Sequence, residues 1–271
     1  MSRIEKKFTE LKAKGEKALI LYLTAGDPDL ETTEKLIPAM DAAGVDILEI
    51  GVPFSDPTAD GPVIQEAAQR SLRGGTTLAA ILKMIARLRK VTEIPIVLFT
   101  YYNPIFAFGN ERFAGQAKKA GVDGVLVVDL PPEEADELRT FTDPQGIDFI
   151  TLTAPTTDDR RLAKIVRTSS GFIYYISVTG VTGTKEPEAE AAALDMRRIR
   201  AATDLPVAVG FGISTAAQVR KFAALADGVV IGSAFVKWIA QHSQEKDFLQ
   251  QAAAYARELK EATILFLLKR G

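Results

Sequence analysis

The chain contains no cysteine and a single histidine, His242. Disulfides, thiol catalysis and structural zinc are therefore excluded, and a Ser-His relay could use only His242 as its base. An excess of either charge sign is also missing, since 33 Lys and Arg stand against 35 Asp and Glu. That balance gives no basic footprint, so neither a nucleic-acid partner nor a membrane surface is expected. Long apolar runs are absent as well: ALILYL and TILFLL are about a third of the ~20 residues that span a bilayer. The amino-terminal MSRIEKKFTELKAKGEK mixes acids with bases and has no apolar signal core, which points to a cytoplasmic protein. Any catalysis has to come from carboxylates, tyrosines, lysines or backbone amides.

What is present is 47% apolar residues in a chain of 271, enough for a large core. Eight short aliphatic or β-branched runs recur at 18–26, 46–51, 94–101, 123–130, 147–154, 171–177, 205–212 and 227–233. Most are continuous rather than alternating, as strands are when helices cover a parallel sheet. Between them apolar residues fall at helical spacing, as in Leu78, Leu82, Ile85 and Leu88, or Val219, Phe222 and Leu225. The AGVD segments at Ala43–Asp46 and Ala120–Asp123 each supply a glycine suited to a left-handed helix end just before a strand. Strand and helix alternate without a linker or a composition shift. The prediction is an α/β fold, a single (β/α)8 TIM barrel forming one domain over residues 1–271. Ile4, Phe8 and Leu11 add an N-terminal helix that would cover the barrel bottom, and residues 247–269 predict additional helix after the last strand.

In such a barrel chemistry sits where strands end and βα loops begin. Glu49 lies inside an apolar strand, where an unpaired carboxylate is costly, so it is either matched by an interior partner or catalytic. The following GVPFSDPTADGP (51–62) carries three prolines with Asp56 and Asp60, a stiff segment able to present an acid. Asp60 could instead cap the helix that begins near Pro62. Metal binding lacks any Asp-rich or His-rich spacing. VGFGIS (209–214) and VIGSAFVK (230–237) place glycines between strand and helix after the seventh and eighth strands, where barrels commonly hold phosphate. SVTGVTGTKEPEAEAAALD (177–195) is longer than an ordinary βα loop and reads as a lid or a plain crossing. Tyr174 and Tyr101 are core aromatics or pocket residues. No strand carries a lysine, and Lys237 falls in a helix, so a Schiff-base aldolase lacks its nucleophile.

These residues together resemble the tryptophan synthase alpha chain family over essentially the whole length. LEIGVPFSDPTADGPVIQ (48–65) is close to that family's signature, supported by LTAGDP (23–28), the Tyr101–Asn103 turn, VVDLPPEE (127–134), GVTG (180–183), GFGIS (210–214) and GSAFVK (232–237). The resemblance implies cleavage of indole-3-glycerol phosphate to indole and glyceraldehyde 3-phosphate. It implies no cofactor in this chain, and a tryptophan synthase beta chain as partner, carrying pyridoxal phosphate in an alpha-beta-beta-alpha tetramer. It places the catalytic pair on Glu49 and Asp60, the active-site tyrosine on Tyr174 and a second pocket tyrosine on Tyr101. It also places the lid threonine on Thr182 and the phosphate cradle on Gly183, Phe211, Gly212, Gly232 and Ser233. Two departures stand out: Tyr22 fills a position often held by Phe, and SVTGVTG replaces an arginine-containing lid of some members.

The residues support that chemistry by their own nature. A carboxyl held in an apolar strand stays protonated near neutral pH and can give and later take a proton, which suits Glu49. Asp60, ionised, would accept the indole N1–H hydrogen bond, and Phe99, Leu126 and Phe211 suggest an apolar slot for the ring. Two alternatives stay open from sequence: another phosphate-binding barrel enzyme, such as a sugar-phosphate isomerase, or a non-catalytic subunit that activates a partner.

Overall fold

The computed structural model describes residues 1–176, 189–210 and 212–264. Eight parallel strands close into a barrel in sequence order. They are β1 (Ala18–Thr24), β2 (Ile47–Gly51), β3 (Ile96–Thr100), β4 (Gly124–Val127), β5 (Asp148–Thr153), β6 (Ile173–Ile176), β7 (Val207–Gly210) and β8 (Gly228–Ile231). The helices are α1 (Arg3–Lys14), α2 (Leu30–Ala42), α3 (Pro62–Arg73), α4 (Leu78–Leu88), α5 (Tyr102–Phe108) and α6 (Asn110–Ala120). There follow α7 (Asp136–Thr142), α8 (Asp159–Thr168), α9 (Ala189–Ala202), α10 (Ala216–Ala223), α11 (Ser233–His242) and α12 (Phe248–Thr263). This is the (β/α)8 barrel expected from the sequence, with an added helix before β1 and α12 beyond α11. None of the helices among the described residues is long and apolar enough to cross a membrane.

The continuous apolar strands follow from burial on both faces. Leu19, Leu21, Leu48, Ile50, Ile96, Leu98 and Val125 point outward into the helix ring. Ala18, Ile20, Ile47, Val97, Leu126, Ile150, Ala208 and Val230 alternate with them and fill the barrel interior. Ile4, Phe8 and Leu11 of α1 join this inner cluster, with the Phe8 ring 5.8 Å from that of Phe172, so α1 closes the lower end as expected. One end of the barrel is therefore plugged, and the opposite, C-terminal end is left to form a site.

The two AGVD glycines adopt left-handed φ values, 92° at Gly44 and 87° at Gly121. The aspartates beside them hold the barrel bottom together. Asp46 accepts from Leu19 N–H at 2.8 Å and from Lys260 Nζ at 2.8 Å, while Asp123 accepts from Ile96 N–H at 2.8 Å and pairs with Arg89 at 2.7 Å. Each carboxylate thus satisfies an amide at the start of a neighbouring strand, a role the sequence pattern does not reveal. The Tyr101–Asn103 turn differs from expectation in being the start of α5, where Pro104 sits in the first turn and its missing N–H costs nothing.

Candidate active site

The C-terminal mouth of the barrel encloses a cavity of about 710 Å3. Its floor is Glu49, Tyr22, Phe99, Tyr174 and Val230; one wall is Ala59–Ile64 and the other is built from Gly212–Ser214, Gln218 and the start of α11. Register explains the floor. Glu49 pairs with Tyr22 of β1 and Val97 of β3, in the inward-facing set of positions, so strand geometry aims its carboxyl into the barrel. Glu49 is 1% exposed, and its Oε1 has no hydrogen-bond partner. Burial without compensation pushes its pKa up to about 8, so the protonated form is favoured at neutral pH.

Asp60 stands in the wall at the end of the proline-rich loop. It does not cap α3: the N-cap residue is Gly61, and no side-chain cap bond exists there. Burial raises its pKa to about 6, held back by a hydrogen bond from Tyr101. Two carboxyls of one cavity are thus poised on opposite sides of neutrality, the arrangement that separates an acid from a charged stabiliser. Tyr101 does not line the cavity itself. Its hydroxyl accepts from Ala59 N–H at 2.9 Å and donates to Asp60, which fixes the loop from behind. Phe54 packs on the Tyr101 ring at 5.2 Å, Pro53 is buried, and Asp56 points to solvent with Ser55 donating to it at 2.5 Å.

Two strand-end glycines make room for two tyrosines. A Cβ on Gly51 would collide with the Tyr22 hydroxyl, and one on Gly210 with that of Tyr174. Tyr22 packs edge-on against Phe99 at 5.3 Å, and its hydroxyl lies 3.4 Å from Thr24 Oγ1. Burial, and then the Glu49 carboxyl, raise the pKa of Tyr174, so it stays a neutral phenol. Leu126 is fully buried in the inner cluster and paired in register with Phe99 of the cavity floor, and it is not itself among the described lining residues. The apolar wall instead comes from Val63 and Ile64 of α3, which pack with Tyr22 and Phe99. Sequence reading misses these two because their helical stripe looks like any core stripe; only their position just after Asp60 marks them.

The glycine turns meet in the other wall. Gly212 has φ 76°, a backbone that needs glycine, and Gly232 is the N-cap of α11 without a side-chain cap, so the first amides of that helix face the cavity unclaimed by a cap. Gly212, Gly232 and Ser233 all line it, which sets backbone amides of the kind that suit an anion beside an apolar slot. Thr182, Gly183 and Phe211 lie outside the described residues, as does most of the loop read as a lid. Lys237, which the sequence marks only as a helical residue, also lines the cavity.

Known proteins resemble this chain over nearly its whole length. The family model described as tryptophan synthase alpha chain matches residues 8–264. The tryptophan synthase alpha chain of Citrifermentans bemidjiense is 53% identical over 264 residues, covering 97% of this chain and 98% of its own. That of Geotalea uraniireducens is 54% identical over 237 residues, covering 88% and 89%. Among solved structures, tryptophan synthase subunit alpha from Legionella pneumophila superposes with a TM-score of 0.90 at 38% identity, covering 97% of this chain and 98% of that one. With the family model matched from Phe8 to the end of α12, the chain belongs to the tryptophan synthase alpha chain family.

Proposed function

We propose that Glu49, Asp60 and Tyr174 carry out the family's reaction in this cavity. Alpha chains of this family are carbon–carbon lyases of tryptophan biosynthesis that cleave indole-3-glycerol phosphate to indole and glyceraldehyde 3-phosphate, and this chain is such a lyase. The observation that carries the residue assignment is the buried Glu49 carboxyl, with no partner at Oε1, sharing one cavity with Asp60, where burial favours the protonated form of Glu49 far more than that of Asp60.

Breaking the bond between indole C3 and the glycerol carbon would expel a carbanion unless the ring first becomes an electron sink. Glu49 gives its proton to C3, and positive charge develops on the ring nitrogen. Asp60 accepts the N1–H hydrogen bond and stabilises that charge. The Glu49 carboxylate then takes the proton of the adjacent glycerol hydroxyl. The C–O bond becomes the aldehyde carbonyl, the C–C pair returns to the ring, and Glu49 ends protonated as it began. Tyr174, a neutral phenol beside Glu49, positions the reacting hydroxyl. The ring rests between Phe99, Val63 and Ile64, and the phosphate rests on the amides around Gly212, Gly232 and Ser233. An isomerase of small sugar phosphates would have little use for that apolar wall.

The partner in this reading is a tryptophan synthase beta chain in an alpha-beta-beta-alpha assembly, with pyridoxal phosphate held by that partner, in the cytoplasm. Phe54, Tyr101 and Asp60 form a packed and hydrogen-bonded chain from the loop surface to the cavity, a physical route by which a partner could bias the acid. The test is indole release from indole-3-glycerol phosphate by the purified chain, alone and with a beta chain. Slow release alone and release at least ~10-fold faster in the complex are expected, equivalent to about 1.4 kcal/mol of barrier. No release in either case would reject the reading.

A further inference from the structure

One charged group of the cavity has no task in the reaction as described. Lys237 follows Ser233 by four residues on α11, so the two share one helix face. Helical side chains lean toward the N-terminus of their helix, so the Lys237 stem is directed toward the first turn, whose Ser233 and Ala234 line the same cavity. It forms part of the cavity wall there. The side chain is exposed and has neither an ion pair nor a hydrogen bond among the described residues.

The charge of the cavity is otherwise of one sign. Its remaining ionisable carboxyl and ammonium groups among the described residues are Glu49 and Asp60, both acids. Gln218, the nearby polar side chain of α10, is committed to the loop before it, accepting from Ser214 N–H at 2.8 Å and Thr215 N–H at 3.2 Å. A phosphate monoester arrives at neutral pH with close to two negative charges. Helix-end amides answer this with only about half a positive charge. A doubly charged ligand brought to a wall opposite Asp60 therefore leaves an imbalance that one full positive charge at the α11 end would reduce.

We propose that Lys237 is a substrate-binding residue that supplies this charge, selecting the dianionic phosphate ester over its uncharged alcohol and drawing it into the cavity. The inference rests on the phosphate site of the proposed function and adds to it a side chain that sequence reading assigns to the helix alone. Its position at the mouth, in contact with solvent, suits capture: an exposed ammonium acts at a distance and is screened by salt, whereas the amides act only on contact. Lysine serves as a point charge, so arginine should replace it with modest loss.

The experiment compares the full-length chain with Lys237→Gln and Lys237→Arg in two assays. The first is indole release across ionic strengths, and the second is calorimetric binding of glycerol 3-phosphate, which needs no turnover. Lys237→Gln is expected to raise KM about 10-fold with kcat changed by less than ~3-fold, and to weaken glycerol 3-phosphate binding by a similar factor. Its kcat/KM should also fall less steeply with added salt, while Lys237→Arg keeps KM within ~3-fold of the parent. Unchanged KM and unchanged glycerol 3-phosphate affinity in Lys237→Gln, with normal indole release by the parent chain, would overturn the inference alone. Absence of indole release by the parent, with glycerol 3-phosphate binding still dependent on Lys237, would overturn the lyase assignment and leave the anion site standing. Loss of kcat rather than KM in Lys237→Gln would also contradict a binding role.

Discussion

Glu49 combines the deepest burial in the cavity with an unsatisfied carboxyl oxygen. Its ordinary carboxyl value is 4.5, and in the folded chain burial lifts it to about 8. The folded state therefore binds a proton that the unfolded chain has already released over this interval. Stability linked to Glu49 is thus fully present below about pH 4.5 and is lost progressively as pH rises toward 8. Glu49→Gln removes this penalty, so the variant should be more stable than the parent at pH 9 by a few kcal/mol, with the gap closing near pH 4. Each pH unit between the unfolded and folded values contributes ~1.4 kcal/mol to that gap. Urea unfolding at the two pH values measures this, and equal stability at pH 9 would mean that Glu49 has a partner after all. Tyr101 acts on the second acid in the opposite sense. Its hydrogen bond lowers the Asp60 pKa against the larger effect of burial, so Tyr101→Phe should move the acidic limb of kcat/KM upward from about pH 6. A limb that stays in place would show that another group titrates there.

At the scale of elements, the loop from Gly51 to Gly61 decides whether Asp60 is structural or chemical. Gly61 starts α3 without a side-chain cap, and Asp60 engages that helix only through its backbone carbonyl, which accepts from Gln65 Nε2 at 2.8 Å. Asp60→Asn should thus lower indole release by at least ~10²-fold while the Tm holds or rises slightly, since a half-desolvated charge is removed. A Tm loss of several degrees with turnover intact, the signature of a lost cap worth ~1 kcal/mol, would reverse the assignment. This loop also shows what a sequence can and cannot disclose. Glu49 and Asp60 are legible because a charge in a covered strand and an acid in a proline-stiffened loop break local rules. Sequence reading offers Tyr101 as a pocket or core aromatic and not as a brace behind Asp60, since hydrogen bonds across 42 positions leave no periodic trace. Sequence pattern shows that Leu126 points into the barrel, but it gives the face of a side chain and not its depth along the barrel axis. Val63, Ile64 and Lys237 are hidden on helices whose stripes resemble ordinary packing.

For the whole molecule, eight covered strands and their order can be read from continuous apolar runs, and α1 from three apolar residues at helical spacing. The aspartates that tie each strand start to its neighbour escape such a reading, although Asp46 and Asp123 occur in identical AGVD segments. They rest at the closed end, while every described residue assigned to chemistry lies at the open end or just above the inner core, so stability and reactivity occupy opposite ends of the barrel. That separation lets Glu49 remain unsatisfied without loss of the fold.

The central claim is that a protonated Glu49 and an ionised Asp60 act together, and the pH dependence of kcat/KM for indole release reports both at once. The expected profile is a bell with limbs near pH 6 and pH 8, rising as Asp60 ionises and falling as Glu49 loses its proton, with Glu49→Gln at least ~10²-fold slower at every pH. A Glu49→Gln enzyme with near-normal turnover, or a parent profile flat between about pH 5 and 9, would contradict it.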